Sequence, residues 1–320
     1  MIDESTETIP DLKRAMTPKP LVLLRCLRPR QWTKNLLLFA GLVFTAKFTD
    51  AAAVLRVVAG FAVFCALAGV AYLLNDLRDV EQDRLHPAKR HRPIACGLIS
   101  PAEALIYALF LGAAAMTASY YLGLPFALIA AAYFGMNVLY SIWLKHMVIV
   151  DIFCIATGFV MRALAGVEIL KAMDPKVYIT PWFLLCAFFL ALFLAICKRR
   201  NEVVMVQSNG GGAVTRRVIS EYSPALLDQM VSITTTSTIL TYGLWAKLGQ
   251  FQNTHMLYTL PLVVFGVFRY LYLVYKRNEG GEPETLLLSD VPLILCVCAW
   301  LVMIVAILFQ ASHSGSLRVH

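Results

Sequence analysis

Apolar residues along this chain gather in blocks close to twenty residues long, separated by short polar segments rich in Lys, Arg, Asp and Pro. Blocks of that length match a hydrocarbon core of roughly 30 Å. A segment inside lipid must satisfy its own backbone hydrogen bonds, so the blocks predict helices rather than open strands. Spans are expected near residues 35–49, 54–76, 102–122, 124–144, 148–170, 178–197, 229–249, 256–276 and 291–310. The pattern therefore predicts an all-α integral membrane protein with about nine transmembrane helices. Gly123-Leu124-Pro125 leaves almost no room between the third and fourth spans, which predicts a tight hairpin.

Composition removes the soluble alternative. Hydrophobic residues make up 59% and charged residues 15% of the chain, against about 25% charged in a soluble domain. No linker or second composition regime interrupts residues 25–320, so one transmembrane domain is expected there. Residues 1–24 begin with twenty that are polar and dotted with proline, and lack the basic start and apolar middle of a signal peptide. They are expected to be a mobile cytoplasmic tail.

Charge sets the orientation. With the N-terminus in the cytoplasm, twenty Lys and Arg fall on the cytoplasmic side and six on the other. The positive-inside rule then puts the C-terminus on the opposite side of the membrane. The net charge of +8 follows from this asymmetry. The basic residues flank spans instead of forming a domain, which argues against nucleic-acid binding. The eight cysteines lie mostly within spans and lack metal-ligand spacing; free Cys in such places behaves as a small hydrophobe.

The chemistry begins where the second span ends. Asn75, Asp79 and Asp83 recur at i, i+4 and i+8, which places three oxygen-bearing side chains on one helix face. Such a stripe at the edge of hydrocarbon suits Mg²⁺, a hard cation that shares oxygen ligands with substrate phosphates. A solvated helix end, with its acids paired off by Arg78 and Arg84, is the plainer reading. Lys89, Arg90 and Arg92 follow at once, before Pro93 and Gly97. Acids that hold a metal and cations close behind them form a complementary site for a diphosphate, and the cations would stabilise a leaving group.

Asn75-Asp76-x-x-Asp79-x-x-x-Asp83 resembles the first aspartate-rich motif of the UbiA superfamily of intramembrane prenyltransferases. The following Lys89-Arg90-x-Arg92-Pro93-Ile94-Ala-x-Gly97 is similar to the branch that transfers phosphoribose to polyprenyl phosphates. So are Arg28-Pro29-Arg30-Gln31-Trp32-Thr33-Lys34-Asn35, Tyr140-Ser141-x-x-Leu144-Lys145, Asp151 through Gly166, and Lys198-Arg199-Arg200-x-Glu202. The resemblance runs from near residue 25 to near residue 225. It implies a UbiA-like bundle with a cytoplasm-facing active site in a bacterial-type inner membrane, and Mg²⁺ as cofactor. Phosphoribosyl diphosphate and a polyprenyl phosphate of decaprenyl type would be the substrates. The product would be a precursor of lipid-linked arabinose donors for the cell envelope.

One departure bears on the substrate. Aromatic prenyltransferases of this fold carry a second aspartate-rich motif after the sixth span. Here that stretch reads Cys197-Lys198-Arg199-Arg200-Asn201-Glu202, with Arg216, Arg217 and Tyr222 beyond it. Such a surface attracts phosphate directly, although the positive-inside rule alone also places cations there.

Carried onto this chain, Asp79, Asp83, Lys89 and Arg92 are the expected catalytic residues, and Asn75, Asp79 and Asp83 the metal ligands. Lys34, Asp76, Arg90, Tyr140, Lys145, Asp151, Arg162, Lys198, Arg199, Glu202, Arg217 and Tyr222 are expected to contact substrate. Asp151 and Arg162 share a helix face three turns apart. They are read either as a structural lock or as functional charges, Asp151 toward ribose or a second metal and Arg162 toward packing or the lipid phosphate. Arg269 is expected to snorkel or pair. An aromatic-acceptor prenyltransferase and a membrane anion transporter are the competing functions.

Overall fold

The structure, a computed structural model, describes residues 18–45, 47–87, 89–208, 217–249, 255–277, 286 and 289–313. Among these every regular element is helical. The chain is already helical at α1 (Lys19–Cys26), inside the segment expected to be a tail. Residues 1–17 and 314–320, Arg216 and the Arg217 side chain lie outside the described set.

Among the described residues, seven helical segments are long and apolar enough to cross a membrane. They are α3 (Ala51–Arg78), α5 (Pro101–Leu122), α6 (Leu124–Ile142), α7 (Val150–Lys171), α8 (Pro181–Ser208), α11 (Leu260–Lys276) with its 3₁₀ lead-in His255–Thr259, and α12 (Val291–His313). The other two expected spans take different forms. Residues 35–49 are replaced by a 3₁₀ helix over Pro29–Phe39 running into the five-residue α2 (Ala40–Phe44). The more extended 3₁₀ rise lets a short piece of chain reach farther than an α-helix of equal length.

The seventh expected span is α10 (Pro224–Leu248), 25 residues long but less apolar because of its run of hydroxyls from Ser232 to Thr238. Ser232, Thr234, Thr236, Thr238 and Thr241 each donate to a carbonyl of their own helix four residues back. Those bonds remove the need for water. Among the described residues between α8 and α10 is the short α9 (Arg217–Ser220), and α10 then packs along α8.

Local chemistry sets the element ends. Asp50 caps α3 by accepting from the Ala52 and Ala53 amides. Ser100 and Glu103 form a reciprocal capping box at the start of α5. The hairpin between α5 and α6 turns on Gly123 alone, at φ 139°, a backbone conformation that side-chain-bearing residues rarely adopt.

The 29–44 segment lies against α7 so closely that only glycine fits between them. A Cβ built on Gly166 would stand 2.0 Å from the Leu38 carbonyl oxygen. Gly166→Ala must push the two backbones apart, and is expected to cost at least about 1–3 kcal/mol as an overpacked core site. A lowered melting temperature of the purified protein is the measurement; an unchanged melt would contradict the close approach.

At 28 residues each, α3 and α8 are about 42 Å long, some 12 Å more than a hydrocarbon core. Their surplus turns carry Asn75–Arg78 and Lys198–Ser208.

Candidate active site

The acidic motif divides into two clusters. Helix α3 stops at Arg78, and Asp79 (φ −93°, ψ 10°) interrupts it before the short α4 (Val80–Leu85). This corrects the expectation of one uniform stripe: Asn75 and Asp79 belong to the first cluster, Asp76 and Asp83 to the second.

In the first, the Asn75 amide donates to Asp79 Oδ2 at 3.1 Å. Lys145 Nζ lies 3.6 Å from the same carboxylate oxygen and donates to Asn75 Oδ1 at 3.4 Å. Lys145 comes from the 3₁₀ turn Leu144–His146, between α6 and α7.

In the second, Arg92 Nη1 reaches Asp83 Oδ2 at 2.6 Å and Asp76 Oδ1 at 2.9 Å. Arg28 Nη2 meets the same Asp76 oxygen at 2.6 Å. Asp76 and Asp83 are both buried. Burial of two carboxylates is tolerable here because each is ion-paired; removing a partner would leave an uncompensated buried charge.

Arg28 was not among the residues expected at the site. Its guanidinium also lies 4.7 Å from the Tyr72 ring centroid, and its backbone is left-handed at φ 51°. The Pro that follows disfavours the right-handed helical region for Arg28. The Arg28-Pro29 pair was therefore the available signal, though it says nothing about which acid the side chain meets. Of the other loop cations, Lys89 is half-buried and Arg90 exposed. Neither forms an ion pair among the described residues, while the Lys89 amide donates to His86 Nδ1 at 3.3 Å.

Asp151, in the first turn of α7, is fully buried. Arg199 Nη2 contacts its Oδ2 at 2.6 Å, and the Tyr222 hydroxyl donates to its Oδ1 at 2.8 Å. The Ile149 amide in turn donates to the Tyr222 oxygen at 2.6 Å. Arg199 also pairs with Glu202. Burial foremost, with the hydrogen bond to Asp151 adding to it, pushes the Tyr222 phenol well above its ordinary pKa. Both Asp151 oxygens are thus engaged by protein, in a buried latch between α7, α8 and Tyr222.

Arg200 pairs with Asp228 and stacks 3.9 Å from the Tyr275 centroid. Two of the three cations read as an open phosphate surface therefore have internal partners. Lys198 is half-buried and forms no ion pair among the described residues.

Arg162 and Asp151 do not meet. The Arg162 guanidinium donates to Asn35 Oδ1 at 2.7 Å and to the Tyr133 hydroxyl at 2.6 Å, deep in the bundle. It ties the 29–44 segment to α6 and α7, as a packing residue would. Arg269 pairs with Asp290 at 2.8 Å. Lys34 and Tyr140 are half-buried, and Tyr140 is close enough to Arg199 to interact electrostatically. The Leu144–Asp151 stretch is what draws the two motifs together: Lys145 reaches α3 from one end of it and Asp151 reaches α8 from the other.

Among the described residues no group of three or more His, Cys, Asp or Glu is arranged so that it could hold a metal ion by itself. The donors present are carboxylate and amide oxygens, which suit Mg²⁺ when substrate phosphates supply the remaining ligands. Asn75 and Asp79 bring such donors together, while Asp83 is held by Arg92 in the second cluster.

Comparison with known proteins gives the family. The model of the UbiA prenyltransferase family matches residues 36–291. The chain belongs to the UbiA prenyltransferase family. Two proteins named decaprenyl-phosphate phosphoribosyltransferase share 34% identity with this UbiA-family chain. The one from Mycolicibacterium smegmatis aligns over 89% of this chain and 92% of its own. The one from Corynebacterium glutamicum aligns over 94% and 91%. Among solved structures, a UbiA homolog from Archaeoglobus fulgidus bound to GPP and Mg²⁺ superposes with a TM-score of 0.66 at 20% identity. It covers 90% of this chain and 98% of its own, and shows that the fold is shared. The protein is accordingly a multi-pass membrane protein of the UbiA fold.

Proposed function

We propose that this UbiA-family protein transfers 5-phosphoribose from phosphoribosyl diphosphate to a polyprenyl phosphate, with release of diphosphate. The observation that carries this reading is the 34% identity, over about nine-tenths of each chain, to two proteins named for that transfer. The site chemistry is in keeping with it. Acids and cations interleave at one end of the bundle, and the position of a second acidic motif is held by Lys198, Arg199 and Arg200.

In the proposed reaction a phosphate oxygen of the lipid attacks the anomeric carbon of the ribose. The new C–O bond forms as the bond to diphosphate breaks, and diphosphate leaves with the electron pair. The nucleophile is already anionic, so no residue needs to take its proton. Asn75, Asp79 and Asp83 would hold Mg²⁺, which supplies Lewis-acid stabilisation of the leaving diphosphate. Arg92, Lys89 and Lys145 stabilise the same charge through direct contacts. Alignment of the two substrates provides the rest of the acceleration. The site faces the cytoplasm in this reading, with the N-terminus inside and the C-terminus outside a bacterial inner membrane. The sugar diphosphate arrives from water and the lipid from the bilayer. The lipid-linked phosphoribose formed would feed synthesis of arabinose donors for the cell envelope.

The neighbour bound to GPP and Mg²⁺ keeps a prenyl-diphosphate substrate as the rival. Purified protein supplied in parallel with labelled phosphoribosyl diphosphate plus polyprenyl phosphate, or with prenyl diphosphate plus an aromatic acceptor, separates the two. A labelled phosphoribosyl lipid in the first reaction is expected. Diphosphate release in the second reaction alone would refute the assignment.

A further inference from the structure

The acidic motif is already neutralised from within. Three carboxylates, Asp76, Asp79 and Asp83, face three cations, Arg28, Arg92 and Lys145, which come from three other segments of the chain. Arg92 and Asp83 are in direct contact at 2.6 Å, and the Asp83 side chain is 3% exposed. A divalent cation arriving alone would compete with Arg92 for that carboxylate and leave the site two charges too positive. A diphosphate arriving alone would meet Asp79 and Asp83 beside the same cations. When both arrive together, their charges nearly cancel. The carboxylates can turn to the metal, and the freed guanidinium and ammonium groups can turn to phosphate oxygens, where charge-assisted hydrogen bonds are strong.

We infer that Arg92 and Lys145 are exchange cations: they hold the motif carboxylates until Mg²⁺ and a diphosphate bind as a unit, then transfer to the diphosphate. Arg28 is not exchanged; it ties its own segment to Asp76 in the last turn of α3. This inference rests on the functional reading above only in taking the site to bind a metal and a diphosphate.

The test is Mn²⁺ binding to the full-length protein in nanodiscs, followed by electron paramagnetic resonance, with and without inorganic pyrophosphate. Wild-type protein is expected to bind Mn²⁺ about tenfold more tightly when pyrophosphate is present, and by reciprocity to bind pyrophosphate more tightly by the same factor when Mn²⁺ is present. Arg92→Gln should bind Mn²⁺ alone more tightly than wild type, by about tenfold, and the Mn²⁺–pyrophosphate pair more weakly by a similar factor. A merely structural arginine would weaken both. Lys145→Met probes the more exposed Asp79 side and should show the same opposed signs, which keeps the test available where the Arg92 variant does not fold. Wild-type Mn²⁺ affinity that is indifferent to pyrophosphate, or variants that weaken both measurements, would overturn the inference. Pyrophosphate carries neither ribose nor isoprenoid, so the outcome stands apart from the substrate assignment, which is decided by the lipid product.

Discussion

Asp79→Asn is expected to lower Mg²⁺-dependent transfer by about 10²–10³-fold, the usual loss when one preorganised electrostatic contact to developing charge is removed. The protein should remain folded. Asn is nearly isosteric with Asp and keeps a carbonyl oxygen to accept from the Asn75 amide, now 3.1 Å from Asp79 Oδ2. The ion pair it loses is loose, at 3.6 Å to Lys145, with the Asp79 side chain 22% exposed. Lys145, itself only 11% exposed, keeps Asn75 Oδ1 at 3.4 Å as an acceptor, so its ammonium is not left without a polar partner. The charge change therefore falls on metal and diphosphate, not on the fold. Turnover at saturating Mg²⁺, read beside a thermal melt, checks this. Activity within a few-fold of wild type would remove Asp79 from the machinery. A membrane transporter that performs no transfer would have no Mg²⁺-dependent diphosphate release for this change to abolish. Asp76→Asn provides the contrast, since Asp76 is buried between Arg28 and Arg92; its replacement should disturb the fold as well as the rate.

Why one acid should act and its neighbour support was not legible in the motif. The hydrophobic blocks disclosed most of the bundle, because a helix in lipid must be long and apolar whatever surrounds it. They do not disclose the form of the expected span at 35–49, where a 3₁₀ helix over Pro29–Phe39 packs on Gly166, because an apolar run does not reveal its helical rise. They also placed α10 among spans to which its threonines make it only partly akin, and the intrahelical hydroxyl bonds explain how it joins the bundle. Spacing put Asn75, Asp79 and Asp83 together, but their partners lie elsewhere in the sequence. Lys145 is 70 residues from Asn75 and Arg28 is 48 residues from Asp76, while only Arg92, nine residues past Asp83, is local. Local pattern finds the charged groups. Tertiary contact decides which of them remain available to a ligand.

The buried latch gives the largest expected effect on stability. Arg199→Met leaves Asp151 fully buried without its ion-pair partner and with only the Tyr222 hydroxyl to satisfy it. Breaking a buried pair from one side costs about 3–5 kcal/mol, which should appear as a large drop in melting temperature. Asp151→Asn is expected to cost less, because Arg199 keeps Glu202 as a counter-ion. The double variant Asp151→Asn/Arg199→Met should recover part of the loss, since replacing both members of a buried pair by uncharged groups is often close to neutral. That recovery distinguishes a latch from a substrate ligand. A ligand at position 151 would show itself as a raised KM for phosphoribosyl diphosphate with an unchanged melt, and the Arg199 change would not compensate for it. Single variants that both melt like wild type would mean that the ion pair does not hold α7 to α8, and would return Asp151 to the list of groups open to substrate.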